Sequence, residues 1–306
     1  MRNIRDIIVC PECQCSLNDA LLCTKCGTQY SCRHGVYNLL SSRLSGEQEY
    51  LYRGEIPEEL SSLFNEETEA GYKKAEEHYL SFFNEETIRA FRKQDESMRK
   101  VLASLSGRVC DLATGAGTML QMLLDAENDK ITDIVCTDIN EFTLMATRYR
   151  RNASRSNLFY IATDGRYLAF KDNAFDAVTS YAGFGNIPDA KRVASELYRI
   201  LKPGGKIVIK GNYIEKDSRS FELAKSVGIE RGMVEEYLLE DLHTAGFVDL
   251  QSDVVAEAVW AENPCDLVPA AGDRQRFCII EASKPAESSG ACFGLENSKP
   301  QNEAVR

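Results

Sequence analysis

From residue 106 to about 283 the chain alternates between short apolar runs and amphipathic stretches, and that alternation restricts the fold more than any other feature. "GRVCDLAT" (107–114) reads as a strand and "TMLQMLLDAE" (118–127) as a helix; "DIVCTDIN" (133–140) and "EFTLMATRYRRNAS" (141–154) repeat the pair. "LFYIATDG" and "FDAVTSYAG" are further strands, followed by the helix "AKRVASELYRILK" and the strand "GGKIVIKGNY". The helix "MVEEYLLEDLHTAGF" then precedes two late strands, "VDLQSDVVAEAVW" and "RQRFCIIEAS". Strands separated by helices run parallel and need a helical layer on each face. The expected fold class is α/β, a doubly wound sheet of seven strands.

Ahead of this region lie two others. Residues 1–40 hold Cys10, Cys13, Cys15, Cys23, Cys26 and Cys32. A chain of 306 residues buries a full core without staples, so these cysteines are not there to rescue a small scaffold. Cys10-Pro-Glu-Cys13 and Cys23-Thr-Lys-Cys26 are two CxxC knuckles, the spacing of a four-thiolate zinc site. Cys10, Cys13, Cys23 and Cys26 are the expected ligands; Cys15 and Cys32, out of register, are expected to pack. Four thiolates leave no open position, so the ion would be structural. Residues 41–105 are acidic, with apolar residues at helical spacing: Leu60, Leu63 and Phe64, then Tyr79, Phe82 and Phe83, then Ile88 and Phe91. "FNEET" occurs there twice, too short a repeat to build an architecture. This stretch is expected to be a helical linker or lid. Residues 284–306, rich in Ser, Glu, Asn, Lys and Pro, are expected to be disordered.

The opening residues contain no apolar run of signal-peptide length, and no run of about eighteen apolar residues occurs anywhere. The expectation is a cytoplasmic chain without a membrane span, its cysteines reduced or metal-bound. The net charge of -11 disfavours broad contact with nucleic acid. Nothing in the sequence speaks to oligomeric state.

The junction "VCDLATGAGTML" carries the first chemical signal. Asp111-x-x-x-Gly115-x-Gly117 joins a buried strand to a helix, with glycines where backbone must turn sharply or approach a ligand. Asp138 ends the next strand, placed to meet ribose hydroxyls. The dinucleotide fingerprint G-x-G-x-x-G is not matched, since Thr118, Met119 and Leu120 follow Gly117. A ligand with a ribose and a cationic or zwitterionic tail suits the turn better.

With these stretches in hand, residues 106–283 resemble a class I S-adenosylmethionine (SAM) dependent methyltransferase, of the small-molecule kind that includes the ubiquinone/menaquinone C-methyltransferases. The resemblance rests on "VCDLATGAG", "VCTDIN", "ATDGRYLAFKDNAFDAVTSYAGFGNIPD" and "ELYRILKPGGKIVI", in that order. It implies a Rossmann-like methyltransferase sheet. It further implies that Asp111, Ala113, Gly115 and Gly117 surround the methionine part of SAM, and that Asp138 takes the ribose. Asp164 and Gly165 would read the adenine edge, and Ser180 and Tyr181 would face the methyl group. Ala113 stands where many members carry glycine. Plain alternatives remain: Asp138 and Asp164 as strand-end caps, Ser180 and Tyr181 as sheet packing. Residues 7–40, with CPxC, LxCxxCGxxY and GVxxLL, are similar to the small zinc-ribbon activator subunit of methyltransferases, here fused in cis.

Methyl transfer needs alignment of acceptor and methyl, and often a base. The candidates are Tyr181 and His78, with Tyr72, Tyr79 and Phe83 expected to line the lid. The expected function is methyl transfer from SAM to a small-molecule acceptor. An RNA methyltransferase is the alternative suggested by the ribbon, although "GFGNIPD" stands where a base-handling turn would follow the fourth strand. A SAM-binding protein without catalysis is the third.

Overall fold

A computed structural model describes residues 4–44, 74, 77–151 and 156–286. Expectations for Leu60, Leu63, Phe64, Tyr72, the first "FNEET" and the tail from 287 lie outside the described residues.

The strands are β1 (Ser31–Arg33), β2 (Val36–Asn38), β3 (Gly107–Asp111), β4 (Ile131–Asp138), β5 (Leu158–Ala162), β6 (Phe175–Tyr181), β7 (Leu201–Ile214), β8 (Val248–Val259) and β9 (Arg274–Ser283). The main helices are α1 (Glu85–Leu102), α2 (Thr118–Asp125), α3 (Glu141–Arg150), α4 (Ala190–Ile200), α5 (Arg219–Ser226), α6 (Glu230–Met233) and α7 (Glu235–Ala245). Short polar side chains start several of them: Asn84, Asn140, Asp189 and Ser218 each accept a backbone N–H of the first turn.

Among the described residues all strands join one sheet, in the order β1-β2-β5-β4-β3-β6-β7-β9-β8. The five strands from β5 to β7 are parallel, and β9 inserts antiparallel between β7 and the edge strand β8. The seven expected strands are all present. Side chains on a strand alternate between faces, and here both faces are apolar. Cys110, Val135, Ile161, Ile207 and Ile280 pack under α4 and α7. Val109, Cys136, Ala162, Val208 and Ile279 pack under α1, α2 and α3. Within the stretch read as a lid, residues 85–102 form a covering helix: α1 lies on the sheet, and its buried Gln94 side chain donates to the carbonyls of Gly211 and Cys278 at 2.8 Å each.

The two further strands come from the cysteine-rich stretch. Its hairpin β1–β2 lays β2 parallel to β5, with Val36, Tyr37 and Asn38 opposite Tyr160, Ile161 and Ala162. Its entry segment joins the loop after β5: Val9 N–H donates to Ala169 O at 2.9 Å and Lys171 N–H to Ile7 O at 2.8 Å. Ile4, Ile7, Ile8, Leu21, Tyr30 and Leu39 are buried in the same cluster as α4. Residues 4–40 thus share both sheet and core with the larger region. Arg33 pairs with Glu141 at the start of α3, and the Arg43 guanidinium lies 4.9 Å from the Tyr167 ring centre.

Candidate active site

The carboxyl ends of β3, β4, β5 and β6 open into a cavity of about 600 Å³, where open α/β sheets hold ligands. Ala113, Gly115, Asp138, Asp164, Gly165 and Tyr181 all line it.

The turn after β3 is locked from beneath. Thr114 N–H donates to Thr137 O at 2.7 Å, Thr137 N–H to the Thr114 hydroxyl at 3.1 Å, and the Thr137 hydroxyl to Asp111 O at 3.0 Å. The sequence reading missed these threonines, although Thr137 precedes Asp138 and Thr114 stands between Ala113 and Gly115, all already singled out. Gly115 then donates its N–H to an Asp138 carboxylate oxygen at 2.9 Å, and Asn140 N–H reaches the other at 2.9 Å. Burial raises the Asp138 carboxyl, while these two amides oppose the shift.

Asp111 lies below the cavity floor, fully buried, with neither carboxylate oxygen partnered. Burial pushes its carboxyl up to about 7; the nearby Thr114 hydroxyl opposes the rise, the charge of Asp138 adds to it, and the Thr179 hydroxyl opposes it. An orphaned buried carboxylate under a cavity fits a cationic ligand group above it.

Ala113 has φ +53° and so sits in the left-handed region. Its neighbour Gly183 makes room: a Cβ on Gly183 would come within 2.5 Å of the Ala113 Cβ. Gly117 serves packing. Its φ is +80°, and an added Cβ would meet the Thr147 Cγ2 of α3 at 2.6 Å. It is absent from the cavity wall, whereas Gly115 is in it.

Two other expected residues are also kept out. Ser180 is fully buried; its hydroxyl donates to Leu112 O at 3.0 Å and accepts Phe184 N–H at 3.1 Å, tying β6 to the turn after β3. Tyr181, expected beside it, does line the cavity. His78 is exposed, packs edge-on against Phe82 at 4.9 Å, and lines neither cavity. Asp164 reaches the cavity with its carboxylate already chelated by Arg166, whose Nε and Nη2 donate at 2.9–3.2 Å.

A second cavity, about 120 Å³, adjoins the first and shares Ala182, Asn186, Asp266 and Val268 with it. Tyr79, Trp260, Tyr213, Met233 and Lys210 also line it. Phe83 does not; it packs on Trp260 behind, at 4.9 Å between ring centres. Lys210 is 1 % exposed, its ammonium 3.2 Å from an Asp95 carboxylate oxygen and 3.4 Å from the Tyr181 ring centre. Tyr181 donates its hydroxyl to the same carboxylate oxygen at 3.1 Å. Burial pushes the Lys210 ammonium down to about 8, with Asp95 opposing. The sequence reading missed this group, although a cation directly after the apolar run "IVI" (207–209) was its signal.

The four knuckle cysteines converge at the far end of the chain. All four sulfurs lie within 4.8 Å of one another, with Cys10–Cys26 at 3.6 Å and Cys13–Cys23 at 3.5 Å. Sulfurs about 2.3 Å from one tetrahedral zinc stand about 3.8 Å apart, so the donor set fits that ion. The Lys25 and Cys26 N–H groups point at the Cys23 sulfur, both at 3.5 Å, as a knuckle holding a thiolate requires. Cys15 packs against the core as expected, but Cys32 is exposed on β1.

The model of the ubiE/COQ5 methyltransferase family matches residues 69–219, just under half of the chain. The chain is 36% identical over 122 residues to "Ubiquinone/menaquinone biosynthesis C-methyltransferase UbiE" of Wigglesworthia glossinidia brevipalpis, covering 39% of this chain and 47% of that protein. It is 37% identical over 102 residues to "Demethylmenaquinone methyltransferase" of Thermus thermophilus, 33% and 46% of the two chains. With the UbiE of Rickettsia rickettsii the figures are 31% over 165 residues, 48% and 65%. The chain spans about half the length of the first two relatives. The strand order and the family match together identify the Rossmann-like methyltransferase fold.

Proposed function

We propose that this chain is a SAM-dependent methyltransferase acting on a small-molecule acceptor, with a structural zinc ion held by Cys10, Cys13, Cys23 and Cys26. The observation that carries the reading is the stacked pair of carboxylates at the first cavity: Asp111 orphaned beneath the floor and Asp138 held by two backbone amides in the wall. Bound SAM would supply a methyl group on a cationic sulfonium. Asp111, Ala113 and Gly115 would take its methionine part, the amino group answering the Asp111 carboxylate. Asp138 would accept from the ribose hydroxyls. Gly165 and the Asp164–Arg166 pair would border the adenine. Tyr181 contributes its ring to the wall, since its hydroxyl is engaged by Asp95.

The names of the relatives support a quinone precursor as the acceptor class and carbon as the methylated atom. Among the described residues no helix is long and apolar enough to cross a membrane. The thiol cluster suits a reducing compartment, and we place the protein in the cytoplasm.

Calorimetry with SAM tests the donor site: binding is expected, and its absence would refute the proposal. Transfer of a tritiated methyl group is expected into a small-metabolite pool. Label in total RNA would overturn the acceptor class, and label in neither pool would leave a SAM-binding protein without turnover. Metal analysis should give about one zinc per chain.

A further inference from the structure

Asp266 lies in the loop between β8 and β9, well beyond residues 69–219, so the family match assigns it nothing. Among the described residues it is the only carboxylate shared by the walls of the two cavities, and thus stands where a methyl group would pass between them. Its orientation is fixed on two sides. The Tyr79 hydroxyl donates to its two oxygens at 3.3 and 3.4 Å, and Asn263 Nδ2 donates to Oδ2 at 2.7 Å. Lys210, from β7, lines the same second cavity, and Cys265 is its neighbour on the loop. Trp260, Tyr213, Ile209 and Met233 give the second cavity an aromatic and apolar stretch of wall, beside Asn186 and Asn212. A carboxylate and a buried ammonium in one aromatic-walled cavity are the groups needed to take a proton from a weakly acidic hydroxyl and to steady the oxyanion left behind.

We propose that the second cavity receives the hydroxyl-bearing end of the acceptor proposed above, in its reduced, hydroxyaromatic form, and that Asp266 is the general base for that hydroxyl while Lys210 faces the developing oxyanion. This deepens the methyltransferase reading and rests on it. The acceptor proton passes to the Asp266 carboxylate. The electron pair of the O–H bond conjugates into the ring, and a ring carbon forms the new bond to the methyl carbon. The sulfur–methyl bond breaks with its pair remaining on sulfur, which ends as the neutral thioether. The methylated ring carbon then loses its hydrogen to water as a proton, and the oxygen recovers a proton from Asp266. One proton is released overall. Burial pushes the Asp266 carboxyl up to about 6, while the Tyr79 hydroxyl opposes the rise, so the base is ionised at neutral pH and still able to accept.

The test uses the full chain, tritiated SAM and three hydroxyaromatic probes: a short-chain demethylmenaquinol, a 2-prenylphenol and 2-naphthol. The wild type is expected to label at least one probe, with kcat falling below about pH 6. Asp266→Asn should hold SAM within about twofold of the wild type by calorimetry yet lose at least 100-fold in kcat. Tyr79→Phe, which leaves the carboxylate in place, should move the acid limb to higher pH. Lys210→Met should lower kcat at least tenfold. Full turnover by Asp266→Asn, or an unmoved acid limb in Tyr79→Phe, would overturn the base assignment while SAM binding stands. SAM binding without label in any probe would overturn the acceptor class. Loss of SAM binding in the wild type would overturn the methyltransferase reading itself and this one with it.

Discussion

The two adjoining cavities are made in opposite ways. The first is built mostly from backbone and strand ends: a glycine turn, two cross-bonded threonines and an aspartate held by amides, all between residues 111 and 183. The second is built from side chains carried by remote segments, as the separation of 187 positions between Tyr79 and its partner Asp266 illustrates. A site of the first kind is shaped by the sheet and varies little while the sheet persists. One of the second kind can be re-equipped by single substitutions, which is how one fold serves many acceptors.

The comparison can be broken by measurement. The largest effect should come from the floor of the first cavity. The Asp111 carboxyl lies above its unfolded value, so the neutral form favours the fold, and its contribution is fully present below about pH 4 and lost as pH rises through about 7. Urea titrations of the ligand-free chain should show a decline over that span, smaller by on the order of 4 kcal/mol in Asp111→Asn, where the raised carboxyls of Asp138 and Asp266 remain. A pH-independent wild type would show that the carboxylate is already partnered.

Next in size is a test of the second cavity as an ensemble of side chains. Asp95→Ala leaves the buried Lys210 ammonium without its carboxylate and should cost about 3 kcal/mol, whereas Lys210→Met, removing the buried charge itself, should stay within about 1 kcal/mol. Equal losses would mean that the pair, and not the unpaired charge, sets the energy. Asp138→Ala should weaken SAM about 100-fold by calorimetry, through loss of charge-assisted bonds to a ribose. An unchanged affinity would remove Asp138 from the site. The smallest effect belongs to the turn: Ala113→Gly relieves a left-handed backbone and should stabilise the chain by about 1 kcal/mol, read as a rise in Tm.

This division also explains what could be read from the sequence. The succession of strands and helices, the cavity at the strand ends and the thiol cluster all rest on local patterns: strand–helix alternation, a glycine turn, CxxC spacing. Gly117 lies outside the cavity wall: a glycine needed for a close approach to Thr147 and one needed at a ligand look alike in sequence. Alternation on β6 turns Ser180 inward, while Tyr181, expected beside it, lines the cavity. His78, expected from its place in the lid stretch, is exposed, and its neighbour Tyr79 reaches the second cavity. Asp266 had no local signal; only the loop's return across the sheet brings it to the cavities.

The pairing of β2 with β5 has a consequence for solubility. Without the cysteine-rich hairpin, β5 would be an open edge, its row of unpaired N–H and C=O groups available to any other strand. A chain starved of metal would then fail first by sticking to copies of itself, well before its helices melted. Light scattering during chelation would see that failure, while circular dichroism would still report a folded molecule.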